Sequence, residues 1–137
     1  MSKETKVSQD VAEQEFERFV EANSLMLEFP GMDKEDKDSL NEQKARIVHA
    51  IMSGAMVINE DGEPVFTPQR TKDAAALTFH EPTGASLMAM DRKKRNEDVG
   101  KLYATMGDMT RTDAKTFSGM KMADLKVCIA VTTLFLG

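Results

Sequence analysis

The chain has 137 residues, 41% of them apolar and 30% charged, with a net charge of -5; this fits one domain with one core and excludes both two sizeable domains and disorder throughout. A single cysteine, Cys128, excludes an internal disulfide and suits a reducing cytoplasm. The longest apolar run, Val127 to Leu136, would span only about 15 Å as a helix against a hydrocarbon layer about 30 Å thick, so no membrane crossing is expected, and the polar N-terminus carries no secretory signal.

Charge is unevenly spread. Residues 1–46 hold 12 acids against 7 bases, and residues 47–137 hold 11 of each. Such a chain lacks the basic surface that phosphate backbones demand, and nucleic acid is not an expected partner. The exception is Arg92-Lys-Lys-Arg95, followed at once by Glu97 and Asp98, which reads as a solvated helix end or as a docking patch for an acidic partner.

In chain order, residues 1–8 read as a flexible N-terminus and 9–137 as a single domain, with 9–54 an acidic helical part and 55–137 a second part of different texture. From Asp10 the pattern is helical, with Asp10 and Glu13 as a cap-like pair and Val11, Phe16, Phe19, Val20 and Leu27 on one stripe. Phe29-Pro-Gly31 ends it. Asp33 to Asp38 is expected to be a solvated connector, and Ser39 with Glu42 resembles a capping box opening a second helix that carries Leu40, Ile47, Val48, Ile51 and Met52 and stops near Gly54.

Met56-Val-Ile-Asn and Pro64-Val-Phe-Thr flank Glu60-Asp-Gly-Glu63, whose Asp-Gly predicts a hairpin turn. Pro64 belongs at an edge strand or at a strand's start. Ala76 to Phe79 supplies a third short strand. Thr83 then caps a helix over Leu87 to Lys93, and Asn96 caps another through Val99, Leu102, Tyr103 and Met106, broken at Gly107. A short helix from Thr112 to Phe117 stops at Gly119, and Lys121 to Leu136 forms a last helix that is apolar on most sides and so wants cover on most sides. The expected fold is helix-dominated α+β, with several amphipathic helices packed on a small antiparallel hairpin or three-stranded sheet.

Little in the chain points to catalysis. No two of the eight glycines lie closer than seven positions, so neither a GxGxxG nor a Walker A loop can be written. Two histidines and one cysteine exclude a four-ligand zinc set from these residues, although a mixed carboxylate site stays open; no metal or other cofactor is expected. His49 reads as a partly buried structural histidine, His80 as a hydrogen-bonding one, and Cys128 as an inert core thiol. Asn59 to Glu63 is a turn and not a calcium loop, because no twelve-residue pattern follows. The chain is therefore expected to bind and not to catalyse. Eleven methionines suit either irregular core gaps or an adaptable apolar surface, and they fall in pairs at Met88 and Met90, Met106 and Met109, and Met120 and Met122.

Leu77-Thr-Phe-His-Glu-Pro-Thr-Gly-Ala-Ser-Leu87 resembles the strand, turn and helix start of the tail assembly chaperones of long-tailed bacteriophages. Met106-Gly-Asp-Met109, Phe117 to Leu125 and Val127 to Leu136 resemble that family's closing helices. The likeness covers residues 56–137; the two preceding helices depart from the family's shorter members. It implies a non-enzymatic assembly factor of the host cytoplasm, absent from the mature virion, which holds the tape measure protein soluble and helps recruit tail tube protein, in part through a longer form made by ribosomal frameshifting. An end directly after Leu134-Phe-Leu suits the shorter product of such a pair. On this reading Met88, Met90, Met120, Met122, Leu134, Phe135 and Leu136 bind the partner, the chain self-associates through its last helix, and residues 1–54 chiefly cover the rest and keep it soluble. The competing readings are a structural virion protein, such as a tail terminator or connector subunit, and a small nucleic-acid-binding regulator using Arg92 to Arg95.

Overall fold

The computed structural model describes residues 6–91 and 98–136. It is helix-dominated α+β: α1 (Gln9–Ala22), α2 (Lys34–Ser53), a sheet of β1 (Met56–Ile58), β2 (Pro64–Phe66) and β3 (Leu77–Thr78), then α3 (Gly84–Asp91), α4 (Asp98–Thr110), α5 (Ala114–Ser118) and α6 (Met122–Leu136). The run Arg92–Arg95 and the expected cap at Asn96 lie outside the described residues. Residues 6–8 do not hang free, because the Lys6 and Val7 N–H groups both donate to the Met52 carbonyl.

Ser8, not Asp10, caps α1, its hydroxyl accepting from the Val11 N–H. The buried face is Ala12, Phe16, Phe19 and Asn23, at i, i+4, i+7 and i+11, so Val11 falls on the exposed side. The helix stops well before Leu27. Asn23 turns its amide inward onto the Phe19 and Gly62 carbonyls, and Ser24 adopts a left-handed φ of 52°. Leu25 and Leu27 then reach the core from a non-helical segment.

The acidic connector expected over Asp33 to Asp38 is instead the first turns of α2. Asp33 accepts from the Asp36 N–H at 2.8 Å, and Glu35 and Asp36 sit where the helix dipole favours anions. Ser39 lies inside the helix. Gly54, at φ 83°, ends α2 as expected. Ile47, Val48, Ala50 and Ile51 are buried, while His49 points to solvent and is not the partly buried histidine expected.

The sheet has the order β1-β2-β3, all antiparallel, with Met56 opposite Phe66, Ile58 opposite Pro64, and Phe66 opposite Leu77. β2 is central, and Pro64 is tolerated because it is the first residue of the strand. The hairpin turn is tied to α1. Arg18 donates to the Ile58 and Asn59 carbonyls, and Gly62, at φ 79°, leaves so little room that a Cβ there would lie 2.2 Å from the Ala22 Cβ. Gly107 has a comparable use. It does not break α4 but lies buried within it, where the Thr112 carbonyl passes 3.1 Å from the position of an added Cβ.

One contiguous core takes Phe16 and Phe19 from α1, Ile47 and Ile51 from α2, Met56 and Phe66 from the sheet, Met106 and Met109 from α4, Phe117 from α5 and Val131 from α6. Residues 9–54 and 55–137 thus share a single interior. Gly62→Ala should destabilise the chain by about 2–4 kcal/mol, combining left-handed strain with overlap on Ala22. Gly84→Ala, with nothing within 4 Å of its Cβ, should stay within about 0.5 kcal/mol of wild type. Urea midpoints of both variants check this; equal shifts would contradict the close packing of α1 on the turn.

Candidate functional site

α6 is held at its start by an unusual anchor. Asp124 is buried, and its carboxylate accepts from the Gln69, Arg70 and Thr71 N–H groups and from the Thr71 hydroxyl, all at 2.8–2.9 Å. Burial pushes the carboxyl up, but the hydrogen bonds from Gln69, Thr71 and Arg70 outweigh it and leave the pKa below its ordinary value. Thr71 Oγ1 also accepts from the Lys121 N–H at 3.0 Å, so the loop after β2 and the first turn of α6 form one hydrogen-bonded unit. Further along, Leu125, Cys128, Ala130, Val131, Thr132 and Leu134 are buried, with α2 as the main helical neighbour. Much of the apolar circumference of α6 is therefore covered within the chain; Met122 and Leu136 are exposed, and Val127, Ile129 and Phe135 are half-buried.

Of the seven residues expected to bind a partner, the six whose side chains are described do not form one surface. Met120 is buried with its sulfur 3.7 Å from Cys128 Sγ, and this corrects its assignment as a binding residue: it fills the core. Leu134 is only 6% exposed and contributes to a floor rather than a rim. Phe135 is half-buried, its ring 5.2 Å from that of Phe19 in an edge-to-face contact, so much of its apolar area already has an internal partner. Met122 projects from the opposite end of α6, and Met88 projects from α3. The side chain of Met90 lies outside the described residues. Leu136 is 46% exposed.

Leu134 to Leu136 border three surface depressions, the first and third mainly apolar and the one between them mainly polar. A groove of about 270 Å³ runs between the α1–α2 connector (Met26, Leu27, Phe29, Met32), one face of the start of α2 (Asp36, Ser39, Leu40, Gln43) and Thr133 and Leu134. Positions 36, 39, 40 and 43 line it together because helical spacing puts them on one face. Met26 and Leu134 also border a second depression of about 260 Å³, which reaches Glu81 and Pro82. Pro82, Phe135 and Leu136 continue into a third of about 340 Å³, with Thr83, Gly84, Ser86 and Thr105. The three form a belt around the end of α6. Met26 is 78% exposed and Phe29 49%, the large apolar side chains that the connector presents to solvent.

The connector escaped the reading by periodicity because its apolar residues follow no helical or strand period. A usable signal was present all the same: Met26, Leu27, Phe29 and Met32 crowd around Pro30 and Gly31, where a solvated loop has no need of them. Both parts of the chain line the belt, with residues from 23–43 on one side and from 81–86, 105 and 133–136 on the other.

Several polar and titratable groups elsewhere are in structural use. His80 Nδ1 lies 2.7 Å from Glu63 Oε2, and the His80 N–H donates to the Met109 carbonyl, joining the end of the sheet to α4. Burial pushes the Glu63 carboxyl up, while hydrogen bonds to Asn59 and His80 and the charge of Arg111 bring it below its ordinary value. Burial pushes the Cys128 thiol up to about 12, far from the range of a reactive cysteine. Ser86 Oγ donates to Asp108 at 2.6 Å and holds α3 to α4. Among the described residues, no three His, Cys, Asp or Glu side chains are grouped to hold a metal ion, and no helix is long and apolar enough to cross a membrane. Comparison with protein-family models, curated proteins and solved structures finds no match to the chain.

Because the folded-state pKa of Asp124 is depressed, its contribution to stability is present above the ordinary carboxyl value of about 3.9 and is lost as pH falls through that value and the folded one. Asp124→Asn should cost about 2–4 kcal/mol at neutral pH, since an amide cannot accept from all four donors. The gap from wild type should narrow below about pH 4. Urea melts of both proteins at neutral pH and at about pH 3 read this directly, Glu63 titrating in both; a gap independent of pH would show that the carboxylate is not the anchor.

Proposed function

We propose that this chain is a tail assembly chaperone of a long-tailed bacteriophage, which binds the tape measure protein, keeps it soluble in the host cytoplasm and helps recruit tail tube subunits around it. The observation that carries the reading is the belt of depressions around the end of α6, mainly apolar at its two ends. A small acidic domain that leaves Met26, Phe29 and Leu136 exposed around three joined depressions has a surface suited to an apolar partner. The sequence resemblance meets this surface. Pro82, Thr83 and Gly84, from the resembling turn, line the third depression, and Leu134 to Leu136, from the resembling end, border all three between them.

In this reading the client presents amphipathic helices, and a helix laid into the belt would cover the exposed methionine and phenylalanine. Methionine suits such a role because its flexible thioether adapts to stripes of differing shape. Tail tube protein and further copies of the chain are the other partners in this proposal. The chain is used during assembly and is missing from the finished particle.

Co-expression with the tape measure protein of the same phage tests the proposal. The soluble fraction of that client should rise several-fold with wild type and fall back with Met26→Ser/Phe29→Ser, a double variant at exposed positions that should keep its own circular dichroism spectrum. Mass spectrometry of purified particles should find no copies of the chain. An unchanged client solubility, or stoichiometric copies in the particle, would overturn the reading, the second outcome in favour of a structural virion protein.

A further inference from the structure

We infer that the groove between the α1–α2 connector, the start of α2 and the end of α6 takes an amphipathic helix whose apolar stripe is flanked by Lys or Arg, and that its acidic rim selects against helices with acidic flanks. The inference rests on the client-binding reading for the identity of the natural partner, but its physical basis is separate. The groove and the adjoining depression include two charged residues among those that line them, Asp36 and Glu81, and both are acids. The segments that wall the groove continue the same sign: Glu28, Asp33 and Glu35 are exposed beside it, whereas Asp38 and Lys34 fall on the opposite side of α2 by helical spacing and Glu42 is paired with Arg46 at 3.0 Å. The positive end of α2 does not offset them, because Asp33 already caps it.

The occupant follows from these features. At about 270 Å³ the groove is smaller than a typical small-molecule pocket, yet it opens along the belt into two further depressions, as a rod-shaped ligand needs. Its walls are two helices and a connector, with side chains and not a free sheet edge lining them, so the binding mode is helix in groove and not strand addition. A second copy of this chain would bring acid to acid: α1 and the start of α2 are both acidic, and like charges set against each other suppress that pairing. A helix with Lys or Arg beside its apolar stripe meets the rim with opposite charge and covers Met26 and Phe29 with its stripe.

The test uses the full chain and two fluorescein-labelled synthetic peptides of about 18 residues with one Leu/Met stripe at helical spacing, one flanked by Lys and the other by Glu. Anisotropy titrations should give at least about tenfold tighter binding of the Lys-flanked peptide, weakening about fivefold on raising salt to about 0.5 M. Asp36→Lys/Glu81→Lys should reverse the preference, and Met26→Ser/Phe29→Ser should weaken both peptides at least about tenfold. Equal affinity for the two peptides, binding that ignores Met26 and Phe29, or no binding of either peptide would each overturn the inference. If the peptides behave as expected while co-expression fails to solubilise the tape measure protein, the chaperone reading alone falls; the converse result removes this inference and leaves that reading standing.

Discussion

The second half of α2 is the surface on which α1, β1 and α6 are assembled. Ile47, Val48, Ala50 and Ile51 present one buried face to α1, β1 and α6. Burying such side chains is worth about 1.5–3 kcal/mol each, so this face decides which elements are held together. The first half of the same helix has no comparable run of apolar residues. Between Lys34 and Gln43 it offers only Leu40, half-buried, among charged and polar neighbours. With α2 about 30 Å long and α6 about 22 Å, a helix the length of α6 cannot cover all of α2. The apolar groove lies where this cover gives out, at the start of α2, beside the connector and Leu134.

The N-terminal helices are tied to the sheet by polar contacts as specific as the apolar ones. Arg18 and Asn23 reach the carbonyls of Ile58, Asn59 and Gly62, and the missing side chain of Gly62 lets α1 close on the turn. Asp124 does the same for α6, gathering three backbone N–H groups and a hydroxyl from the loop after β2. Leaving such donors unpaired in the interior would cost about 1–3 kcal/mol each, which makes these contacts strict about geometry where the hydrophobic face is tolerant. They set where the connector and the end of α6 stand, and hence the width of the groove between them.

Periodicity served well where one face of an element is buried and nothing else competes. The hairpin, the stop at Gly54, Pro64 at the start of its strand and the short helix before Gly119 could all be read from the residues. The errors share a cause, which is that a local signal was outweighed by one further away. Ser39 with Glu42 makes a good capping pattern, yet Asp33 caps earlier with acids in the first turn, and a helix starts at the earliest cap that its following residues can sustain. Leu27 continues the stripe of α1 numerically, but Asn23 has a carbonyl partner 39 residues away in sequence, and that contact ends the helix. Gly107 looked like a breaker because the loop that passes beside it could not be seen in the sequence. The groove-lining residues at Met26 to Met32 lay in a connector, where pattern has no period to find, whereas Met120 belonged to a conspicuous pair and proved to be core.

The acidic excess of the first third and the exposed apolar side chains of the belt have to be considered together. An uncharged domain showing Met26, Phe29 and Leu136 around joined depressions would present each copy with a surface to stick to. Asp36 and Glu81 in the depressions, with Glu28, Asp33 and Glu35 beside them, put the repulsive charge next to that surface, where a second copy would have to bring its own. Screening limits the reach of this repulsion to about 8–10 Å at physiological salt. Charge elsewhere on the molecule would therefore protect the belt poorly, and its placement at the rim is what counts. On the proposed reading, the same acids would disfavour pairing of two copies at this groove and leave it open to a partner of opposite sign, so one set of residues would serve both solubility and selectivity.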